Sequence, residues 1–192
     1  HEKYQILNNF DIAYTFAPVF KVMLPNADLF PHSQETANNI RWWPDIKNDG
    51  HWLFTRHALA SLNDNGMCYS LIPLNLLLRL GEAEETRKAI LDENLLDAVI
   101  ELPRELFSGG HSTPISTGGY TRYAIVVLKK GRTNKDVFML NLASKASKDF
   151  LTSEPKYEYC DFNDIDEVAD IFKNRKSMDG ISSKVSVETI FE

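Results

Sequence analysis

The stretch of this sequence richest in glycine and small polar residues runs from residue 108 to residue 119. It contains two glycine pairs, Gly109-Gly110 and Gly118-Gly119, among serines and threonines. Glycine lets backbone amides approach a ligand closely, and nucleotide-binding loops place it directly after a strand and at the start of a helix. Neither pair stands in that position, so the sequence does not meet the pattern of a nucleotide-binding loop.

Other arrangements that do chemistry are also missing from the sequence. The 5 histidines are scattered, and neither HExxH nor CxxC, which bind metal ions at fixed spacing, occurs. The lysine pattern of a P-loop and the GxSxG turn of a serine nucleophile are absent as well. From residue types and spacing alone, the sequence indicates an α/β domain with a glycine-rich loop and identifies no reaction.

A basic turn is the one candidate for contact with phosphate. Lys129, Lys130 and Arg132 surround Gly131 between two apolar runs. Lysine and arginine at such a turn could contact phosphate, although a basic turn is more often solvated surface. Both interpretations stay open at this point.

Composition limits the classes of protein that this chain can represent. Its 192 residues include 21 Lys and Arg against 27 Asp and Glu, a net charge of -6 that excludes a wholly cationic surface and leaves room only for a local basic groove. Cys68 and Cys160 lie too far apart to indicate a disulfide framework. No apolar run reaches the roughly 20 residues of a membrane span. We therefore expect a soluble cytoplasmic protein without a membrane partner.

Apolar periodicity predicts the elements that would position these residues. A buried strand is predicted over residues 10–16, and Pro18 follows it. The next segment, up to Gly50, is rich in proline and asparagine and predicts a long irregular loop. A helix is predicted from Trp52 to Leu62, with Gly66 supplying the left-handed residue that ends it.

The remaining elements alternate in type. Strands are predicted over residues 67–73, 95–102, 123–128 and 137–142, with helices over 82–93 and 165–173. This order predicts an α/β sheet that is mostly parallel with an antiparallel edge. We assign residues 1–145 to this domain and residues 146–192 to a C-terminal extension packed on it.

Residues 50–145 contain a strand closing on Leu-Pro, a following helix start and a Leu-Pro…Leu-Phe strand, and the tail contains an Asn-Arg-Lys segment. The segments are Leu71-Ile72-Pro73, Gly81 to Glu84, Glu93 to Ile100, Leu102-Pro103, Leu106-Phe107, Ile125 to Lys130, Asn141 to Ser144 and Asn174-Arg175-Lys176. In these segments residues 50–145, and more loosely 160–191, resemble one known family, the modification subunits of type I restriction-modification systems.

The resemblance implies a fold, an activity and partners. Members of the family are N6-adenine DNA methyltransferases with a Rossmann-like sheet, and they use S-adenosylmethionine. They act on DNA together with a specificity subunit, which holds the information on the recognised sequence, and a restriction subunit. The target adenine leaves the duplex, and an Asn/Asp-Pro-Pro-aromatic motif after the fourth strand holds its amino group.

The resemblance also implies candidate site residues. The catalytic motif corresponds to Phe16-Ala17-Pro18-Val19, or shifted by one residue to Ala17-Pro18-Val19-Phe20, and neither alignment supplies Asn or Asp at the first position. Phe107 with Gly109 and Gly110 corresponds to the segment beside the flipped base, with ordinary loop packing as the alternative.

The cofactor half of the family's domain has no counterpart in this sequence. In the family, the glycine loop that binds S-adenosylmethionine and the acidic residue for its ribose precede the position of residue 1. The chain therefore corresponds to the second half of the sheet, and we expect no cofactor binding by this chain alone. A half sheet has an open edge, so either a dimer or another chain covers that edge, or a rearrangement has replaced the lost strands.

Three functions are compatible with these observations. The chain is a fragment or truncated form of a type I methylase subunit, inactive by itself; or a non-catalytic module of that family for DNA binding or subunit assembly; or an unrelated α/β protein. Of these we favour the first.

Overall fold

The computed structural model describes residues 9–17, 50–102, 122–143 and 162–190. These residues form one six-stranded sheet with helices on both faces. The elements are β1 (Phe10–Phe16), α1 (Gly50–Ala60), β2 (Leu62–Pro73), a 3-10 turn (Leu74–Leu77), α2 (Glu82–Asp92), β3 (Leu96–Glu101), β4 (Tyr123–Lys129), β5 (Asp136–Asn141), α3 (Phe162–Asn174), β6 (Ser182–Ser186) and α4 (Val187–Ile190).

The strand order across the sheet is β1-β2-β4-β3-β5-β6. β1 is parallel to β2 and β3 is parallel to β5, whereas β4 is antiparallel to both of its neighbours and β6 is antiparallel to β5. The predicted α/β fold class is confirmed, and β6 is its antiparallel edge. A second antiparallel strand, β4, lies inside the sheet. Its side chains are apolar on both faces of the strand, so both faces must be buried by other parts of the protein.

Two hydrophobic cores lie on opposite faces of the sheet. On one face, α1 and α2 contribute Trp52, Leu59 and Ile90, all at most 2% exposed. On the other face, α3 contributes Ile171, which packs with Phe138 of β5. Residues 146–192 were predicted to be an extension, and within them β6 is a full member of the sheet. The division of the chain at residue 145 stays a prediction.

The burial expected for β1 is wrong. Phe10, Ile12, Tyr14 and Phe16 are 45–76% exposed, although the strand itself lies where the sequence predicts it. β1 is an edge strand, with β2 as its one strand neighbour among the described residues. An apolar run predicts a strand, but it does not distinguish an interior strand from an edge strand.

The role expected for Gly66 is also wrong. Gly66 does not end α1 but lies inside β2, which begins five residues earlier than its apolar run indicates. A Cβ at this position would lie 2.7 Å from the Cβ of Leu62 and 3.0 Å from the carbonyl oxygen of Phe10. Glycine is therefore needed here for close approach of β1 and the start of β2, not for a left-handed turn.

Other expectations fall outside the described residues. They concern the irregular loop before Gly50, the glycine-rich loop and Cys160. Within the described residues, no helix has both the length and the apolarity to cross a membrane.

Burial of Cys68 predicts a thiol of low reactivity. Burial raises the pKa of Cys68 from 9.0 to about 12, so the thiolate fraction at pH 8 is roughly 1000-fold lower in the folded chain than in the unfolded one. In a Cys160→Ser background, we expect Cys68 to react with a disulfide reagent at least about 30-fold more slowly before unfolding in guanidinium than after it, since a thiolate of higher pKa is intrinsically more nucleophilic and offsets part of the difference. Equal rates would contradict the burial of this strand.

Candidate functional site at the carboxyl edge of the sheet

Four of the six strands run in the same direction, so their carboxyl ends lie together. β1 ends at Phe16, β2 at Pro73, β3 at Glu101 and β5 at Asn141, and we call this boundary the carboxyl edge. The antiparallel strand β4 begins at the same edge, with Tyr123 opposite Pro73. In open α/β sheets, ligands bind outside the carboxyl ends of the strands. The carboxyl edge is therefore the candidate functional site.

An aromatic pair lies at this edge. The rings of Phe16 and Tyr123 meet edge to face, with 6.4 Å between their centroids and 75° between their planes. Tyr123 is buried, and this burial raises the pKa of its hydroxyl group, which is therefore neutral at pH 7. The ring of Phe16 is 59% exposed, and an exposed ring of this kind can stack against a planar base.

Backbone hydrogen bonds fix the start of β4 between the ends of β2 and β3. The amide of Leu102 donates to the carbonyl of Tyr123 at 3.0 Å, and the amide of Leu74 donates to the carbonyl of Arg122 at 2.8 Å. The guanidinium of Arg122 also pairs with the carboxylate of Glu101 at 3.0 Å. These contacts hold both flanks of the segment 103–121 at the carboxyl edge.

The structure describes two of the predicted catalytic residues. Phe16 ends β1, and Ala17, which follows it, is 2% exposed. The others lie outside the described residues, as do all members of the predicted base-contact segment. These are Pro18, Val19, Phe20, Phe107, Gly109 and Gly110. The predictions for their roles therefore stay predictions.

The basic turn lies at the opposite edge of the sheet. Lys129 ends β4, which begins at the carboxyl edge, and Lys130 and Arg132 follow it. The ammonium group of Lys130 donates to the carbonyl of Leu62 at 2.8 Å, and burial lowers its pKa. Proposed contacts of this turn with DNA would be far from the carboxyl edge, so the turn and the aromatic pair do not form one site.

The guanidinium of Arg132 has partners within the chain. It donates to the backbone carbonyls of Asn94, Leu96 and Asp136. Its Nε lies 3.3 Å from the carboxylate of Asp97, and the side chain is 4% exposed. Burial lowers the pKa of Arg132, and Asp97 opposes this effect. These contacts join the start of β3 to the start of β5 and leave little of Arg132 accessible to a phosphate.

Sequence reasoning missed three residues of the carboxyl edge, namely Glu101, Arg122 and Tyr123. Their positions in the sequence could have indicated them, because these residues flank the glycine-rich loop and its adjoining prolines. The ion pair and the aromatic contact, however, depend on β4 lying between β2 and β3, and that order is not evident from local sequence.

The described residues do not fit S-adenosylmethionine. Gly81, Gly131 and Gly180 have positive φ angles, but none of them joins the end of a strand directly to a helix as a cofactor loop does. Gly131 lies in the turn at the opposite edge from the candidate site. In the same part of the chain, no group of three metal-ligating side chains comes together.

Comparison with known proteins gives the family. The profile of the N-6 DNA Methylase family matches residues 16–192. The type I restriction enzyme MpnII methylase subunit of Mycoplasma pneumoniae is 32% identical over 140 residues, which are 72% of this chain and 23% of that protein. The chain belongs to the N-6 DNA methylase family.

Solved structures agree on the fold. The type I restriction-modification methyltransferase subunit of Streptococcus thermophilus matches with a TM-score of 0.73 at 23% identity, over 96% of this chain and 36% of that chain. A Listeria monocytogenes structure described as a class I S-adenosylmethionine-dependent methyltransferase matches with a TM-score of 0.53 at 17% identity, over 87% and 43%. The sheet thus has the same fold as part of each of these two chains.

The matched lengths define which part of the family this chain represents. The chain spans about a quarter of its Mycoplasma pneumoniae relative and about a third of the Streptococcus thermophilus subunit. It corresponds to a fragment of a type I restriction-modification methylase subunit.

Removal of the Arg132 guanidinium should destabilise the fold. Arg132→Ala leaves the carboxylate of Asp97 with one cation fewer and removes the bonds of a buried guanidinium to three backbone carbonyls, so we expect a loss of about 3–5 kcal/mol in the free energy of unfolding. Denaturation with urea measures it. Lys129→Ala, three residues away in the same turn, is the control and should change the value by less than about 0.5 kcal/mol. Equal effects would show that the bonds of Arg132 contribute little.

Proposed function

We propose that this chain is the target-base half of an N6-adenine DNA methyltransferase within a type I restriction-modification methylase subunit. In that reaction, the methyl group of S-adenosylmethionine is transferred to the amino nitrogen of an adenine in DNA. The observation that carries the proposal is the family match over residues 16–192, which includes the strand end at Phe16. DNA, a specificity subunit and a restriction subunit are the proposed partners, and the cytoplasm is the proposed location.

The proposed contribution of the chain is to hold the flipped adenine. A base extruded from the duplex needs a ring to stack on and acceptors for its amino hydrogens. β1 ends at Phe16 on the carboxyl edge, and Phe20, the aromatic residue of the shifted alignment, is proposed to supply the stacking. Residues 16–20 are the proposed remnant of the catalytic motif, and Phe107, Gly109 and Gly110 are proposed to lie beside the base.

The proposed remnant lacks the polar acceptor at its first position. Phe16 or Ala17 stands where the family motif has Asn or Asp, so the amino group is neither oriented nor polarised by a side chain there. S-adenosylmethionine supplies the methyl group when it is bound, and we assign its binding to sequence outside the described residues.

A role in subunit assembly is a second candidate function. It is favoured by one observation, the four large apolar side chains that β1 exposes. Measuring methyl transfer distinguishes the two functions, because subunit assembly requires no methyl transfer.

The described residues contain no glycine loop that joins a strand end to a helix, and this predicts the result of a titration. We expect S-adenosylmethionine titrated into the purified 192-residue chain to give no saturable heat. Light scattering on the same sample gives the oligomeric state. Saturable one-to-one binding would show that the chain has a cofactor site that the described residues do not contain.

A chimera tests the proposed function. This chain would replace the matching 140-residue region in the MpnII methylase subunit, and N6-methyladenine would be measured in DNA by mass spectrometry with the specificity subunit present. We expect Phe16→Asn to raise methyl transfer by roughly 100-fold over the unmodified chimera, because it restores an acceptor.

The control places the same side chain elsewhere on the strand. Tyr14→Asn lies on the same face of β1 and should not raise methyl transfer. No methylation by the Phe16→Asn chimera, with the domain folded by circular dichroism, would contradict a role of this strand end in base positioning. In the isolated chain, Phe16→Asn should not produce methylation.

A further inference from the structure

One arginine at the carboxyl edge has an exposed side chain. Arg122 directly precedes β4, and its side chain is 53% exposed. Its Nη1 donates to the carboxylate of Glu101 at 3.0 Å, which is the one hydrogen bond of this guanidinium in the part of the chain that the structure describes. A guanidinium has five N–H donors, so most of the donors of Arg122 are available to a ligand.

The backbone at Arg122 is fixed. The carbonyl of Arg122 accepts a hydrogen bond from the amide of Leu74 at 2.8 Å, and the carbonyl of Tyr123 accepts one from the amide of Leu102 at 3.0 Å. Arg122 is thus held between the ends of β2 and β3. A side chain on a fixed backbone loses less conformational freedom when its guanidinium binds a ligand.

Arg87 shows the contrasting use of an arginine in the described residues. Its Nη1 donates to the backbone carbonyls of Leu76 and Arg79 at 2.7 and 2.8 Å. These bonds join α2 to the segment that follows β2. Arg87 therefore serves the packing of the chain, whereas the guanidinium of Arg122 extends into solvent beyond its single partner.

The chemistry of a guanidinium and its place in the fold point to phosphate. Guanidinium groups bind phosphate oxygens through charge-assisted hydrogen bonds, and such contacts orient a protein on DNA. Arg122 is next to Tyr123, whose ring contacts the ring of Phe16 with 6.4 Å between centroids. In the proposed function the target base enters at the strand end at Phe16, so the phosphates on either side of that base pass close to the carboxyl edge.

We propose that Arg122 binds a backbone phosphate of DNA at the carboxyl edge. The inference rests on the proposed function and adds to it a binding residue that sequence reasoning did not identify. Glu101 orients the guanidinium, and its own carboxylate, with a side chain 22% exposed, faces part of the same surface. Arg122 holds the DNA and takes no part in the transfer of the methyl group.

The basic turn is the competing source of phosphate contacts. Tyr123 begins β4 and Lys129 ends it, so at about 3.3 Å per residue the two edges of the sheet are about 20 Å apart. Arg122 and Lys129 therefore cannot contact the same phosphate. The two hypotheses place DNA at opposite edges, and single substitutions distinguish them.

DNA binding by the full 192-residue chain tests the proposal. The probe is a fluorescein-labelled duplex of about 20 base pairs, and fluorescence anisotropy is measured between about 20 and 200 mM salt. Arg122→Ala should weaken binding roughly tenfold at the lowest salt. It should also reduce the slope of log K against log salt by about 0.9, the value for one phosphate of B-DNA.

Two further variants separate the geometry of the guanidinium from its charge. Arg122→Lys keeps the charge and loses the planar fork, so it should retain the salt slope and weaken binding by roughly threefold. Lys135→Ala removes one positive charge directly before β5, at the opposite edge, and should leave the affinity unchanged within about twofold. Exposed ion pairs contribute little to stability, so we expect every variant to fold, and thermal unfolding verifies it.

Substitution of Glu101 tests the sign of the charge effect. Glu101→Gln keeps an acceptor for Arg122 and removes the negative charge beside the phosphate, so binding should become roughly threefold tighter. The control is Asp92→Asn, an exposed carboxylate at the end of α2 and four residues before β3, which should change the affinity by less than about 1.5-fold. Weaker or unchanged binding by Glu101→Gln would contradict a phosphate at this position.

Three other results would overturn the proposal. They are no binding of the duplex by the folded wild-type chain at the lowest salt, wild-type affinity in Arg122→Ala, or a loss in Lys129→Ala as large as that in Arg122→Ala. Failure of the proposed function gives a different result, namely binding that depends on Arg122 together with a Phe16→Asn chimera that methylates no DNA.

Discussion

The burial of β4 on both of its faces is the constraint on which the sheet depends. Val126 and Val127 point to opposite faces and are 1% and 0% exposed, so neither core can form without this strand. β4 pairs with β2 and β3 and runs against both, which places its first residue, Tyr123, between their carboxyl ends. The candidate site is thus organised by a strand whose own side chains are almost entirely structural, and the aromatic contact to Phe16 follows from that placement.

The carboxylate of Asp97 extends this organisation to the tail of the chain. It contacts Arg132, which follows β4, and Arg175, which follows α3, so residues distant in sequence meet at the amino end of β3. Arg175 lies between two aromatic rings, one from β5 and one from α3, and it therefore holds the helix against the sheet by both charge and packing. The Asn-Arg-Lys segment, which contributes to the family resemblance, has a structural role here.

The extent to which sequence predicted the structure differs between the elements. Interior strands such as β3 and β4 were located within one or two residues, because burial on both faces leaves a continuous apolar run. β1 has a similar run, yet its exposure depends on which strands flank it. The prediction for Gly66 was wrong because glycine occurs both at helix ends and where two backbone segments approach each other closely. The partners of Lys130 and the contact of Phe16 with Tyr123 are set by long-range pairing, which local patterns do not contain.

The register of the sheet has a consequence for how the chain folds. Met67 pairs with Lys129 and Ile12 pairs with Met67, so both pairings join segments far apart in the chain, and such closures slow folding. During this delay, residues 10–16 form an apolar strand without lysine or proline, which can pair with the same strand of another molecule. Intermolecular pairing accelerates with protein concentration and intramolecular closure does not. Slow, dilute synthesis therefore favours the folded sheet over aggregates.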